Sequence, residues 1–560
     1  MTAWVFDFDM IKYVKRLTSL IIVLVLLMFS VSVSAAEVQG SGFAFNEYPE
    51  EAVTAFTPEM LTRVHGEADY EANRGYADTS LYISPDWTLK VNGRSVPLYA
   101  TLSYDASYGG VLSAFQYLYA QGSAFKLNIS LTFKDAVSGG ICLPEGAGVG
   151  VQTQGRELKA ELDGTGTYTF LINGDDQRYA VTLFVREYCD EEAEIASYIE
   201  RYGEENVKVY EKGCYSLDGL SLESRVTYFR RGSFIRANHL ADTVSAETEG
   251  QLGDFMYLNG GENVTVTGMG TVDFNSLDWH ERTHGIIRWS KNVLIEGMLF
   301  LNPSSWTLSA YGCENCKIRD IAVFGYRTNS DGINICGCSN MLVASSFCRN
   351  GDDCFSVKTT NDAYEAKGIE FTDCIGWSTK ARCFGITGEV FEKISDVEFS
   401  DCAVIYRNAT WDNDRVCSLS VMVEAGGKDV ENAVFRNIEI YHDSGRPVLV
   451  MISGDELDSC NISGVRFENI ACGYAGEKSK ISSQRDITSA GKAAAKINRF
   501  LADSGLSGLR LFALIGEWLS SKYNSGSGIE AAIANSSVNG SSLASRRALV
   551  SEGNVRLIKE

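Results

Sequence analysis

Asn292-Val293-Leu294-Ile295 is one copy of a short phrase that recurs along this chain: a turn residue (Asn, Asp or Gly), then an apolar, a mostly polar and another apolar residue. Its period of two is typical of a β-strand entered from a turn. Successive copies start 23 to 36 residues apart, and self-similarity on this scale indicates a repeat architecture. The copies begin at Asn263, Asn292, Asn315, Asn340, Gly368, Asp396, Asn432 and Gly464.

These repeats predict an all-β chain built around a right-handed parallel β-helix. No single coil can bury its apolar side, so the stack of coils forms the core. Cys374 and Cys402 each follow their phrase by three residues, as expected of stacked equivalent positions. Seven prolines and 53 glycines suit short strands joined by tight turns. A β-propeller is the competing architecture, but its blades need about 40 residues or more, which most of the intervals do not reach.

The chain before the repeats has a different pattern. Residues 81–185 contain short alternating strands separated by Gly, Asn and Asp, which predicts a β-sandwich preceding the β-helix. Beyond Ala475 the repeat fails, and a helix-like segment is followed by a Ser/Gly/Asn-rich linker. We therefore divide the chain into a signal peptide (1–35), a β-sandwich-like domain (36–190), the β-helix (191–475), a helical or linker insertion or cap (476–530) and a final strand segment (531–560).

The N-terminus has the three parts of a secretory signal peptide. Lys12, Lys15 and Arg16 precede an apolar stretch, and Ser34-Ala35-Ala36 offers a small-residue cleavage site. Met10 is an alternative start of translation. This pattern predicts a secreted protein that has no membrane contact after cleavage, and an uncleaved N-terminal anchor is the alternative.

The composition limits the partners. The net charge of −22 argues against nucleic acid or an anionic membrane surface. The 15 cysteines are compatible with disulfides or with buried free thiols. The paired cysteines near residues 313–338 have no histidine nearby, so no metal site is predicted there. β-Helices of this kind need no partner subunit, and we expect a monomer.

Three aspartates lie within 23 residues: Asp331 in Asn329-Ser330-Asp331-Gly332, and Asp352 and Asp353 in Gly351-Asp352-Asp353-Cys354. Cleavage of a glycosidic bond needs one protonated carboxyl group and one ionised carboxylate. Crowding raises the pKa of at least one carboxyl group. Strings of this type are more often plain surface turns, and the repeats around them favour a catalytic interpretation.

The register of the repeats places these aspartates together. Asp352 and Asp353 follow Asp331 by 21 and 22 residues, nearly one coil, and neighbouring coils are about 4.8 Å apart. Their carboxyl groups are therefore expected at one angular position on adjacent coils. From there they could span the roughly 6.5–9.5 Å that inverting glycosidases use to hold a water molecule.

From about Val207 to Phe467 the sequence resembles polygalacturonase-type enzymes of glycoside hydrolase family 28, or the related family 49 of dextranases and isopullulanases. The resemblance rests on the two acidic motifs and on Asn302-Pro303-Ser304-Ser305-Trp306-Thr307, similar to an NSPxWT segment. It implies that Asp352 is the general acid, that Asp331 and Asp353 activate water, and that the reaction inverts configuration without metal or cofactor.

The sequence departs from family 28 at two motifs. Where that family has Gly-His-Gly, this chain has residues 381–388 without histidine, so Lys380 or Arg382 is expected to tune the acidic site. Where the family has Arg-Ile-Lys, this chain has Met422-Val423-Glu424. A carboxylate at Glu424 would repel a uronate and suit neutral sugar hydroxyls, unless Arg415 or Arg382 supplies the missing cation.

Further side chains near the motifs are candidates for substrate binding. Asn329 lies in the turn of Asp331, and Lys358 follows the second motif closely enough to reach a sugar hydroxyl. Sugar rings stack on aromatic faces, and five aromatics lie in or near the flanking turns: Trp306, Tyr326, Tyr364, Trp377 and Trp411. Plain burial is the alternative for each of them. His284 is too isolated in the sequence to be assigned a role.

The leading hypothesis is a secreted inverting glycosidase acting on a polysaccharide or oligosaccharide of the pectin or α-glucan type. One alternative is a β-helix polysaccharide lyase with calcium on the acids and a basic residue, for which Arg349 is the one cation between Asp331 and Asp353. The other is a carbohydrate-binding β-helix without catalytic activity.

Overall fold

The computed structural model describes residues 42–64, 75–122, 125–174, 176–240, 253–360, 364–408, 415–453, 460–483 and 527–559. The predicted signal peptide, Trp411 and most of the predicted insertion after residue 475 lie outside these ranges. Within them, no helix is long and apolar enough to cross a membrane.

The N-terminal part is a β-sandwich, as predicted. One sheet has the order β2-β5-β6-β12-β11-β8, with β1 beside β6, and the other has the order β4-β3-β7-β10-β9. Apolar side chains of both sheets form a shared core, as expected for two packed sheets. The strands are β1 Phe43–Phe45, β2 Tyr82–Ile83, β3 Trp87–Val91, β4 Arg94–Val96, β5 Tyr99–Asp105, β6 Gly109–Ala120, β7 Leu127–Phe133, β8 Gly140–Leu143, β9 Val151–Gln154, β10 Glu157–Leu162, β11 Gly166–Ile172 and β12 Asp176–Glu187.

Helix α1 (Glu191–Tyr202) joins the sandwich to the second part of the chain. The Asp190 side chain accepts hydrogen bonds from the N–H groups of Glu192 and Ala193 and so caps the helix. Short 3₁₀-helices lie at Glu50–Ala52, Pro58–Arg63, Glu145–Ala147 and Glu204–Asn206.

The rest of the chain is a right-handed parallel β-helix, so the predicted fold class is confirmed. Its strands form one 20-stranded sheet, which bends around two sides of the coil, and one 11-stranded sheet on the third side. They are β13 Val207–Tyr210, β14 Gly213–Leu217, β15 Leu220–Ser221, β16 Val226–Ala237, β17 Met256–Asn259, β18 Thr265–Asp273, β19 Gly285–Arg288, β20 Leu294–Glu296, β21 Met298–Leu301, β22 Leu308–Tyr311, β23 Lys317–Arg319, β24 Ala322–Phe324, β25 Ile333–Cys336, β26 Ser339–Ala344, β27 Phe347–Asn350, β28 Phe355–Thr359, β29 Ala366–Thr372, β30 Ile375–Ser378, β31 Phe384–Val390, β32 Ile394–Ser400, β33 Ala403–Arg407, β34 Cys417–Ala425, β35 Val430–Asp443, β36 Arg446–Ile452, β37 Asn461–Ala475, β38 Ser479–Ser482, β39 Gly528–Ala534, β40 Ser537–Val538, β41 Ser541–Ser542, β42 Leu549–Glu552 and β43 Val555–Lys559.

The first residue of each repeated phrase sets the corner of a coil. All eight of these residues have φ between +53° and +65°, the left-handed region that Asn, Asp and Gly adopt most readily. The Asn292 amide donates to Asn263 Oδ1 at 3.1 Å, and Asn340 donates to Asn315 in the same way. The phrase therefore encodes a left-handed turn that stacks coil on coil.

Inside the coils, equivalent side chains stack in columns. Phe371, Phe399, Phe435 and Phe467 lie face to face with ring centroids 4.7–5.0 Å apart. All 15 cysteines are free thiols, and thirteen of them are buried.

The β-helix continues beyond residue 475, where the sequence predicted an insertion from residue 476 to residue 530. Strand β38 and the first three residues of β39 lie within this predicted segment. The coils therefore extend into both ends of the segment.

The sandwich packs against one side of the β-helix, on strands β21, β24, β27, β30 and β33. Phe115 stacks on Phe324 with centroids 5.2 Å apart, and Arg186 forms an ion pair with Asp320 at 2.8 Å. The turns that leave these covered strands lead directly into the 11-stranded sheet, and the three aspartates lie in those turns.

Candidate active site

Hydrogen bonds between coils bring the aspartates together. Asp331 lies in the turn before β25, and Asp352 and Asp353 lie in the turn before β28, which pairs with β25. The Gly332 N–H donates to the Asp353 carbonyl at 2.8 Å, and the Cys354 N–H donates to the Arg382 carbonyl at 2.9 Å. Residues 331, 353 and 382 therefore occupy equivalent positions on three successive coils.

The small residue in the first motif permits this approach. A Cβ atom on Gly332 would lie 2.3 Å from the Cys354 carbonyl oxygen and 2.5 Å from the Cys348 sulfur. Such contacts are far inside van der Waals distance, so any larger residue would separate the coils. Gly332 is thus needed for the coil packing that sets the spacing of the acids.

The three carboxylates converge at one place. One oxygen of Asp331, one of Asp352 and one of Asp353 all lie within 4.8 Å of one another. A buried cation lies against two of these acids.

That cation is Lys358, on β28. Its Nζ lies 3.1 Å from Asp331 Oδ2, 3.7 Å from Asp353 Oδ2 and 3.9 Å from Glu389 Oε2. The Trp306 ring covers the ammonium group at 4.0 Å from its centroid, and only 4% of the Lys358 side chain is exposed. Lys358 was predicted to reach a sugar hydroxyl, but the structure places it on the aspartates, beneath Trp306.

Arg382 supplies the second cation. Its backbone N–H donates to Asp353 Oδ1 at 3.2 Å, and its Nη1 lies 3.3 Å and 3.4 Å from the two Asp353 oxygens. The sequence predicted that either Lys380 or Arg382 tunes the acidic site in place of the missing histidine. Arg382 contacts Asp353, whereas the Lys380 ammonium donates to Thr328 Oγ1 and lies 5.7 Å from the ring centroid of Tyr104 in the sandwich.

Glu424 lies at the edge of the same cluster, between two arginines. Its Oε2 is 3.5 Å from Arg382 Nη2, and its Oε1 is 3.6 Å from Arg415 Nε. The charge of Glu424 is therefore compensated, and the repulsion of a uronate expected from the sequence is weakened. Both arginines that could replace the family's cations are present at the site.

Asp352 differs from its two neighbours. It is half-buried, and its oxygens accept hydrogen bonds from the N–H groups of Asn329, at 3.2 Å, and Asp353, at 2.9 Å. Among the described residues, no Lys, Arg or His nitrogen lies within ion-pair distance of it. Asn329 thus contacts the aspartate through its backbone, in a left-handed turn of φ +59°.

The charges of the cluster indicate where a proton resides. Burial raises the pKa of Asp352 to about 6, and the Asp353 carboxylate adds to that rise. Burial raises the pKa of Asp331 well above its usual value as well, although Lys358 opposes this rise. Burial disfavours the charged form of Lys358, but Asp331 and Asp353 outweigh it and raise the lysine pKa. Lys358 and Arg382 thus lie against Asp331 and Asp353, whereas Asp352 has no cation at ion-pair distance and is the most exposed of the three, so it is the acid best placed to donate a proton to a substrate.

This arrangement predicts the alkaline limb of the pH profile. An acid must be protonated to donate, so kcat/KM for a cleaved polysaccharide is expected to fall as pH rises through about 6, the pKa of Asp352. Initial rates between pH 4 and pH 9, at constant ionic strength, measure it. A rate that instead rises through this range would contradict Asp352 as the acid.

The aromatic side chains predicted to bind sugar differ in their exposure to solvent. Trp306 is half-buried over Lys358 and Tyr364 is 47% exposed, so both can meet solvent. Tyr326 is fully buried in the sandwich core, and Trp377 is buried against Arg349. Plain burial therefore accounts for Tyr326 and Trp377.

Two residues near the cluster were not assigned from the sequence. His284 is buried, and its Nε2 accepts the N–H groups of Ser304, at 2.7 Å, and Ser305, at 3.1 Å. Burial lowers its pKa, so it holds the turn before Trp306 as a neutral ring. Glu389 contacts Lys358 from the next coil, and nothing in its sequence context marks it.

Comparison with known proteins shows which sequences and folds this chain resembles. Residues 241–485 match the sequence model described as "Glycosyl hydrolases family 28". The chain resembles family 28 or a related family, as predicted. A "Probable polygalacturonase" of Vitis vinifera is 30% identical over 116 residues, which are 18% of this chain and 24% of the relative. A "Probable polygalacturonase" of Arabidopsis thaliana is 23% identical over 238 residues, 39% of this chain and 51% of the relative. The chain thus spans about half or less of these relatives.

Solved structures show limited overall similarity. An exopolygalacturonase from Thermotoga maritima has a TM-score of 0.34 and 16% identity, covering 52% of this chain and 84% of its own. A GH87 alpha-1,3-glucanase from Streptomyces thermodiastaticus has a TM-score of 0.37 and 10% identity, covering 93% and 95%.

Proposed function

We propose that this family 28-type chain is a glycoside hydrolase that cleaves a pectin-type polysaccharide. The observation that carries the proposal is the cluster of three carboxylates with two buried cations, in which the most accessible acid, Asp352, has no cation at ion-pair distance and a pKa raised to about 6. A protonated acid beside ionised carboxylates is what glycosidic bond cleavage requires. The relatives named as polygalacturonases support the substrate class.

In the proposed reaction Asp352 donates its proton to the leaving glycosidic oxygen. Asp331 and Asp353 accept hydrogen bonds from a water molecule and take up its proton as the water attacks the anomeric carbon. The Lys358 ammonium opposes protonation of Asp331, and the Arg382 guanidinium donates hydrogen bonds to Asp353. The anomeric configuration is thereby inverted in a single displacement.

The substrate-binding role of Glu424, Arg382 and Arg415 remains part of this proposal. An arginine-compensated carboxylate can accept hydrogen bonds from sugar hydroxyls, and Arg415, whose side chain is 42% exposed, can meet a uronate carboxylate. Galacturonan and rhamnogalacturonan are therefore both candidate substrates. We also propose that the chain is secreted, which the pattern of residues 1–35 supports, and that it acts as a monomer.

The lyase alternative has little support from the geometry. Its candidate base, Arg349, is 1% exposed, stacks on Trp377 at 3.7 Å and donates to the Gln177 carbonyl of the sandwich. The Lys358 ammonium already provides a cation to the acidic cluster, so we expect activity without calcium.

The test is a panel of polygalacturonan, rhamnogalacturonan, dextran and pullulan, each incubated with the purified protein in EDTA. We expect reducing ends to appear from a pectin-type polymer without unsaturated ends. Unsaturated products, or activity that requires calcium, would identify a lyase. Release of reducing ends from dextran or pullulan alone would show that the substrate is a neutral glucan and not pectin. No release from any polymer would favour the carbohydrate-binding alternative.

A further inference from the structure

Trp289 lies in a backbone conformation that does not suit tryptophan. Its φ is +49°, and a bulky residue in the left-handed region is an outlier. All other non-glycine residues with positive φ in the described chain are Asn, Asp, Ser or His. Such strain is retained where the side chain has a role elsewhere.

The neighbouring coils show what the backbone prefers at this position. Asn259, Arg288, Tyr311 and Cys336 are paired in register along the 11-stranded sheet. The residues that follow them are Gly260, Trp289, Gly312 and Gly337, and the three glycines have φ of +58° to +64°. Tryptophan therefore replaces glycine in a column where glycine has no steric cost.

The glycines make room for two exposed rings. Trp289 is 56% exposed and Tyr364 is 47% exposed. A Cβ atom on Gly312 would lie 3.0 Å from the Trp289 ring and 3.4 Å from the Tyr364 ring, and one on Gly337 would lie 3.0 Å from Tyr364 Cβ. Both rings thus lie over bare backbone and flank a cavity of about 480 Å³ that Arg288 and Thr360 also line.

The cavity and the candidate active site share strand β28. Strand β28 begins two residues after Asp353, carries Lys358, and ends at Thr359, which lines the cavity. The lining of the cavity includes Thr359 but none of the three aspartates, so the cavity lies beside the acidic cluster and not on it. Phe391, 37% exposed, follows on the next coil, where its N–H donates to the Thr359 carbonyl.

We propose that Trp289 and Tyr364 form a binding subsite for a sugar unit of the polysaccharide, remote from the bond that is cleaved. Exposed aromatic rings with polar groups at their edge suit the apolar face and the hydroxyls of a sugar. The Arg288 guanidinium, held by an ion pair with Asp254, supplies hydrogen-bond donors beside the rings. This subsite rests on the proposed function, since it binds the same polymer chain.

Affinity electrophoresis of the Asp352→Asn protein tests the subsite without turnover, in gels containing polygalacturonan, rhamnogalacturonan, dextran or pullulan. Trp289→Gly and Tyr364→Ala are added singly to that background. We expect the parent to be retarded in at least one gel and each substitution to weaken binding by about tenfold or more. Tyr108→Ala removes a ring of 53% exposure from the sandwich and should bind like the parent.

Trp289→Gly separates binding from folding. Because glycine relaxes the left-handed backbone, its Tm should not fall below that of the parent. Unchanged binding by both variants, or no retardation of the parent in any gel, would overturn the subsite. If the rings are needed for binding but the protein with Asp352 intact releases no reducing ends, the subsite stands and the hydrolase proposal falls.

Discussion

Replacing Asp352 with asparagine is expected to lower kcat by about 10²–10⁴-fold, the usual contribution of a general acid. The amide oxygen can still accept one of the two N–H bonds, from Asn329 or from Asp353, so the fold should be retained with at most a small decrease in Tm. Because the residual reaction no longer depends on a proton at this position, its rate should lose the decline above about pH 6. Initial rates on the cleaved polymer at several pH values measure both effects.

The matched control is Asp396→Asn. Asp396 begins a repeated phrase on the surface of the β-helix, in a left-handed turn where other copies carry asparagine. This substitution changes the same charge without contacting the cluster and should leave the rate within twofold of the original, about 0.4 kcal/mol. If Asp352→Asn were as active as this control, another residue would have to be the acid.

Lys358→Met is expected to have the largest effect on stability. Removing one partner of a buried ion pair leaves an uncompensated charge and lowers the free energy of unfolding by about 3–5 kcal/mol. In this variant both Asp331 and Asp353 lose the lysine as a partner. Activity should be lost as well, because Asp331, without the ammonium that opposes its protonation, would bind a proton instead of activating water. Urea denaturation gives the free energy of unfolding, and rates on the cleaved polymer give the activity.

A double variant distinguishes lost charge balance from lost packing. In Lys358→Met with Asp331→Asn, one cation and one anion are removed together, so the free energy of unfolding should recover most of its loss while activity stays absent. A single Lys358→Met variant as stable as the native protein would show that the ammonium does not balance the cluster. Failure of the double variant to recover would assign the loss to contacts of the lysine chain with Trp306.

Much of the fold could be predicted from the sequence because one local feature carries it. The first residue of each phrase encodes both a left-handed turn and the start of a strand, so the repeat gives the register directly. The same register brings Asp331 and Asp353 to equivalent positions, which is why their proximity was predictable. The β-sandwich could be predicted in the same way, from the alternation of apolar and polar residues in its strands.

The contacts of long side chains could not be predicted from register. Lys358 follows Asp331 by 27 residues, and only the direction of its side chain over the sheet brings it to the carboxylates. Glu424 was interpreted from its charge alone, whereas Arg382 and Arg415 reach it from other turns. Trp289 looks ordinary in the sequence, because its position in a column of glycines emerges only when the coils are stacked.

The central claim is that Asp352 protonates the leaving oxygen while water held by Asp331 and Asp353 attacks directly. One oxygen of each of these acids lies within 4.8 Å of the others. The configuration of the product distinguishes direct attack by water from a covalent intermediate, so the stereochemistry is the most direct test. Proton NMR of the cleaved polymer in the first minutes of reaction identifies the anomer that forms first. We predict the inverted anomer, and a retained anomer would show a covalent intermediate and contradict the claim.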